Sequence, residues 1–330
     1  MKLLAIILNY KVADLTIGCL RSLAREIPGI AGARVVVVEN GSGDDSAERL
    51  RESILAEGWD GWVELVPLTQ NLGFTRGNNL IIRRAMSSAD PPEYVLLLNG
   101  DTVVAEDAIG RLVRFMDENP QAGIAGTRLE YPDGRPQGSP FRFLSIASEF
   151  DRGLGLGVVS LLLLKWAVCP EKPRVASPVD WVAGASMMIR RDVIELLGPL
   201  DEGFFAYFED MDFCLNARRA GWSTWYVPES LIVHLEGASS GIGVKTGARL
   251  PAYWFEARRW FFLKNHGAIY ASLTDAAFLL GCALGGLRRK IQGRRDPGAP
   301  HLFMDSVRHS VFLKGFKGAN SSLKQTGGYL

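Results

Sequence analysis

The chain has 330 residues, 47% hydrophobic and 22% charged. This suits one large α/β domain with extensions or two modest domains, and excludes a disordered chain, a collagen-like repeat and a small disulfide scaffold. A net charge of +1 conceals an asymmetry: from residue 245 onward there are 14 Lys and Arg against 4 Asp and Glu, and before it 23 against 32.

Apolar runs at 3–8, 34–38, 65–68 and 94–98 predict strands, and 12–26, 46–57, 77–86 and 107–118 predict helices between them. Uninterrupted apolar strands alternating with amphipathic helices imply a mostly parallel sheet covered on both faces, with ligand beyond the carboxyl ends of its strands. Those ends read Asn9-Tyr10, Glu39-Asn40-Gly41-Ser42 and Asn99-Gly100-Asp101. Residues 131–142 are rich in Pro and Gly and read as a loop. Further on, 253–266 mixes aromatics with bases, and 268–287 holds a single charge, Asp275, ahead of Arg288, Arg289, Lys290, Arg294 and Arg295. Three readings stay open there: helices packed on the main domain, an in-plane membrane anchor, or a bilayer span. Four scattered cysteines without a CxxC pair, and an N-terminus too short for a signal peptide, predict a cytoplasmic location.

Five clusters carry chemistry. Asp101 at a strand end suits a hard cation such as Mg²⁺ or Mn²⁺, or an Asx turn. Residues 71–79 (NLGFTRGNN) can approach a base or ribose through glycines and amides, but are neither a Walker loop nor a dinucleotide fingerprint. Residues 181–185 (WVAGA) are plain packing or the floor of a sugar pocket. Glu209, Asp210 and Asp212 sit among aromatics, where a raised pKa suits a general base and a helix N-terminus also suits acids. His234 closes an apolar run, as a structural residue or a metal ligand.

In order, ILNY, VENGS, NLGFTRGNN, LLNGDT, WVAGASMMI, FFAYFEDMDFC with RRAGW, and VPESLIVHLEG resemble the family 2 inverting glycosyltransferases of the GT-A fold, in their bacterial rhamnosyltransferase-like branch, over residues 3–237. The resemblance implies an α/β, Rossmann-like GT-A catalytic domain at 1–244 and a helical, basic extension at 245–330. It puts Leu8, through its backbone, and Tyr10 at the nucleobase. Glu39 stands where the family has Asp, with Asn40 beside it. Asn71, Gly73, Arg76 and Asn78 would line the donor nucleotide. Asn99, Gly100 and Asp101 fall at the DxD position, with Asn for the first acid and Gly for the more usual Pro. Asp101 and His234 would hold Mn²⁺ or Mg²⁺, and Trp181, Gly184 and Ala185 would wall the donor sugar and acceptor. Asp210 is implied as the base, Glu209 as an acceptor-side or helper acid, and Asp212 as orienting Asp210 or capping the helix.

The implied activity is inverting, metal-dependent transfer of L-rhamnose from dTDP-rhamnose, or of a UDP-sugar, to a lipid-linked or polysaccharide hydroxyl in cell-surface glycan synthesis. Expected partners are the nucleotide-sugar donor, the glycan acceptor and an anionic membrane surface at the inner face of the cytoplasmic membrane, with no nucleic acid. Two alternatives stand beside it. A sugar-1-phosphate nucleotidylyltransferase needs a glycine-rich loop that Asn9–Leu15 lacks. A silent glycan-binding scaffold has no use for Asp101, Asp210 and His234 together.

Overall fold

The computed structural model describes residues 1–235, 248–294 and 298–317. The boundary expected at 244/245 and the cation Arg295 lie outside the described residues. The chain forms two compact units. The first is made of Met1–Phe141, Glu171–Leu200 and Phe213–Val244; the second of Arg142–Pro170, Asp201–Asp212 and Lys245–Leu330.

In the first unit the strands β1 (Leu3–Asn9), β2 (Ala33–Glu39), β3 (Val63–Pro67) and β4 (Tyr94–Asn99) pair in parallel in the order β3-β2-β1-β4. Apolar side chains on both faces of β1, β2 and β4 are buried, as covered parallel strands require. Helices α1 (Ala13–Leu23), α2 (Ser46–Ala56), α3 (Gly73–Met86) and α4 (Ala108–Glu118) fall between strands, the first two and the last close to the sequence expectation. Helix α3 starts four residues earlier than expected, so most of 71–79 is helical. Asn71 Oδ1 accepts the Gly73 amide at 2.8 Å, supplying the partner that an N-terminal N–H lacks inside a helix.

The sheet continues past β4 through β10 (Ser186–Arg190), β6 (Ala122–Glu130), β11 (Ser223–His234) and β5 (Thr102–Val104), with β8 (Ser177–Val179) also on β11. Strand β10 is antiparallel to both neighbours and β6 is parallel to β11, so the sheet is mixed while its longest ladders are parallel. Within the 131–142 loop, β7 (Pro140–Phe141) pairs with β9 (Trp181–Val182). Register aligns the polar ends: Asn9 faces Glu39, Leu8 faces Asn99, and His234 faces Thr102. Helix α7 (Arg191–Leu197) follows β10, and α8 (Glu209–Arg219) precedes β11.

The second unit is helical: α5 (Ile146–Leu154), α6 (Gly157–Leu162), α9 (Ala252–Ile291), α10 (Leu302–His309) and α11 (Val311–Lys314). Helix α9 breaks at Gly267 (φ 82°, ψ 175°), a conformation glycine adopts freely. Beyond that break it packs on α5 at backbone distance. A β-carbon on Gly281 would lie 2.4 Å from the Phe150 carbonyl oxygen, and one on Gly153 2.5 Å from that of Phe278. Asp275, the lone charge of the apolar stretch, points into this contact. It accepts from Arg258, whose Nε donates to Glu149 at 2.7 Å, and its other oxygen accepts the Val311 amide at 2.8 Å. All three charged side chains are buried, and Arg152 completes the cluster on Glu149 at 2.7 Å.

Candidate active site

In the first unit, the ends of β1, β2 and β4 and the start of α3 carry the residues expected at the nucleotide. Leu8 and Tyr10 are half-buried at the end of β1, with the Lys11 ammonium 5.3 Å from the Tyr10 ring centroid. Glu39 is buried, and its Oε1 accepts the Ser42 amide at 2.9 Å, so one oxygen braces the turn after β2. Asn40 is committed at both ends of its amide. Its Oδ1 accepts from the Leu72 N–H at 3.0 Å, and its Nδ2 donates to Asn71 Oδ1 at 3.1 Å and the Gly73 carbonyl at 3.2 Å. It therefore shapes residues 71–73. Asn71 and Arg76 are exposed, Gly73 is buried, and buried Asn78 donates to the Phe74 carbonyl at 2.9 Å.

At the DxD position the geometry converges. A β-carbon on Gly100 would stand 2.5 Å from Thr16 Oγ1 and 3.2 Å from the Leu8 carbonyl oxygen, so α1 and β1 leave no room for a side chain there. Asp101 is 1% exposed, and its Oδ1 has no hydrogen-bond partner among the described residues. That oxygen lies 3.3 Å from His234 Nε2, because the β5–β11 ladder sets His234 opposite Thr102. Gln137 Oε1, which can only accept, is 2.9 Å from His234 Nδ1 and so takes the proton on that nitrogen. Nε2 then carries the lone pair, which accepts from the Asn99 side-chain Nδ2 at 3.3 Å and lies equally far from Asp101 Oδ1. A cation displacing the Asn99 contact would meet two electron-pair donors here, one of them a buried carboxylate oxygen without a hydrogen-bond partner among the described residues.

Among the described residues no group of three or more His, Cys, Asp or Glu converges for a metal. Gln137 escaped sequence reasoning because it lies in a Pro- and Gly-rich loop with no motif around it. Nearby, Trp181 stacks on Phe141 with centroids 4.2 Å apart, Gly184 is buried, and the Ala185 carbonyl accepts the Asn99 amide at 3.0 Å. The WVAGA segment thus braces the end of β4.

In the second unit the acids stand at the start of α8. Tyr207 and Phe208, just before it, both have φ of 69°, a left-handed conformation that costs a non-glycine residue of order 1–2 kcal/mol. Glu209 is 6% exposed, and its Oε2 has no partner among the described residues. Burial, with Asp210 adding to it, pushes its carboxyl well above the ordinary carboxylate range. Asp210 is half-buried, and its Oδ1 accepts the Met211 amide at 2.8 Å. Asp212 accepts from Lys264 Nζ at 2.7 Å and Asn265 Nδ2 at 2.6 Å, while burial raises its pKa despite that pairing. Lys264 also reaches Asp201 at 2.9 Å, so a residue outside every motif ties both ends of 201–212 to α9.

A family model described as "Glycosyltransferase like family 2" matches residues 2–260. The chain is 27% identical over 231 residues to the N-acetylglucosaminyl-diphospho-decaprenol L-rhamnosyltransferase of Mycobacterium tuberculosis (strain ATCC 25618 / H37Rv), covering 67% of this chain and 71% of that protein. It is 24% identical over 224 residues to the dTDP-rhamnosyl transferase RfbF of Shigella flexneri, covering 66% of this chain and 69% of that one. Among solved structures, that of GalNAc-T7 with UDP, GalNAc and Mn²⁺ shares the GT-A fold at a TM-score of 0.60 and 16% identity, over 89% of this chain and 55% of its own. Matched over most of its length and carrying the GT-A sheet, the chain is a hexosyltransferase and belongs to the glycosyltransferase-like family 2.

Proposed function

We propose that the chain transfers a sugar with inversion from a nucleotide diphosphate donor, dTDP-L-rhamnose first and a UDP-sugar second, to a hydroxyl of a lipid-linked saccharide or polysaccharide at the inner face of the cytoplasmic membrane. The observation that carries this reading is Asp101 Oδ1, buried without a hydrogen-bond partner among the described residues and 3.3 Å from His234 Nε2 at the DxD position. The names of the two rhamnosyltransferase relatives support the donor and the lipid-linked acceptor.

An Mn²⁺ or Mg²⁺ ion fits those two donors, and when bound it would neutralise the diphosphate of the leaving group. Phosphate oxygens and water would complete the ion's coordination. Tyr10, Asn71 and Arg76 would bind and orient the nucleotide, and the stacked Trp181 would bound the sugar. Asp210, half-buried with one oxygen on a backbone amide, accepts the proton of the attacking hydroxyl. Glu209, its carboxyl raised by burial and by the neighbouring Asp210, would in its protonated form donate a hydrogen bond to the acceptor. One displacement needs one base, and no carboxylate serves as nucleophile.

The test is thermal shift with UDP, dTDP, GDP and CDP, each with and without Mn²⁺ or Mg²⁺, on wild type and Asp101→Ala. The expected result is a metal-dependent rise in Tm with dTDP or UDP that the variant loses. No shift with any nucleotide would overturn the donor assignment, and product of retained anomeric configuration would overturn inversion.

A further inference from the structure

Apolar side chains are distributed unevenly. Among the described residues, 16 of the 21 exposed large hydrophobic side chains belong to the second unit. Six of them, Ile269, Leu273, Leu280, Leu284, Leu287 and Ile291, lie on α9 at intervals of 4, 7, 4, 3 and 4 residues. At about 100° per residue they fall within an arc of about 60°, a stripe roughly 33 Å long. Exposure reaches 81% at Ile269 and 78% at Ile291. The opposite face is buried: Phe278 and Gly281 meet α5 there, Asp275 meets Arg258 and the Val311 amide, and Ala271 is buried beside them.

We propose that this half of α9 lies in the plane of an anionic bilayer, its stripe seated at the boundary of headgroups and acyl chains, and does not cross. Charge selects the occupant. Arg288, which donates to the Gly155 carbonyl at 2.8 Å, and Lys290 flank the stripe by helical position, exposed Arg294 follows, and the stretch from 276 to 293 carries no acidic residue as a counter-charge of its own. An anionic headgroup supplies that counter-charge while acyl chains cover the stripe, the pattern of an interfacial helix. Two further exposed patches in the same unit repeat the pairing of apolar and basic side chains: Leu161, Leu162 and Lys165 beyond α5, and Phe312, Phe316 and Lys317 around α11. A crossing is disfavoured by the packed face. There α5, seated along the helix with Asp151 and Arg152, would be carried to hydrocarbon depth.

The proposal rests on the reading of the acceptor as lipid-linked, and its tests separate the two. Full-length protein is sedimented with vesicles of phosphatidylcholine, with and without phosphatidylglycerol. Wild type is expected to pellet with the anionic vesicles and to be released by alkaline carbonate. Leu273→Ser/Leu280→Ser/Leu284→Ser is expected to bind roughly tenfold less. Lys290→Glu/Arg294→Glu is expected to bind weakly and to lose salt dependence. Both variants change exposed side chains, and an unaltered nucleotide-induced Tm shift shows that they are folded. Equal vesicle binding by the triple variant, retention through carbonate, or a stripe-dependent dimer that ignores vesicles would each overturn it. If wild type binds vesicles but glycosylates only water-soluble acceptors, the lipid-linked acceptor fails while the surface stands.

Discussion

Thr16 and Leu8 decide what can stand at residue 100. A methyl there would press Thr16 Oγ1 at 2.5 Å, so Gly100→Ala is expected to destabilise the chain by about 1–3 kcal/mol, read as a lower urea midpoint at unchanged m-value. Gln137 acts through His234. Gln137→Ala frees the imidazole to take the other tautomer or turn, and is expected to weaken Mn²⁺-dependent nucleotide binding by roughly 10–100-fold, measured by titration calorimetry, with Tm without ligand little changed. Gln137→Glu, which still accepts from Nδ1, is expected to restore most of it. Glu209 gives the pH dependence. Its carboxyl is raised in the folded chain, so above the ordinary carboxylate range the unfolded chain has released a proton that the native chain retains. Its contribution to stability is whole below that range and falls as pH rises toward the raised value. Glu209→Gln is expected to flatten the decline of Tm with pH across that window.

At the scale of elements, Lys264 holds two carboxylates that approach from either end of 201–212. Lys264→Met leaves Asp212 buried and without its counter-charge. A loss of about 2–3 kcal/mol is expected from urea unfolding, toward the low end for buried pairs because Lys264 is partly exposed. The elements differ in how far sequence disclosed them. Strands β1, β2 and β4 were plain because both faces are buried and their residues form unbroken apolar runs. The start of α3 was hidden because Gly73 and Gly77 read as breakers, while its first turn depends on a capping contact from Asn71, itself held by distant Asn40. Asp101, Asp210 and His234 were visible through motif order. Gln137 and Lys264 were not, since each matters only through a partner far off in sequence.

At the scale of the molecule, the charge asymmetry read from sequence has a structural counterpart in the apolar surface of the second unit. That unit is not the C-terminal stretch alone: Arg142–Pro170 and Asp201–Asp212 belong to it. Deleting residues from 245 onward would strip Glu149 of Arg258 and Asp212 of Lys264. Such a deletion is expected to lower Tm and expose 142–170 to protease rather than release an intact catalytic core, a result limited proteolysis would read directly.

The Asp275 carboxylate joins Arg258, and through it Glu149, to the amide of Val311. Glu149 and Val311 are 162 residues apart in the chain. At about 5–20 residues per second on the ribosome, α5 emerges roughly 10–30 s before the last contact of its cluster can form. During that interval the glycine face meant for α9 is uncovered and Glu149 has only Arg152 of its own helix until Arg258 emerges, so the nascent chain passes through a stage in which its helical unit is open while its sheet is already complete. Mutations that slow closure at Asp275 or Val311 should therefore lower yield in the cell more than they lower Tm in the finished enzyme.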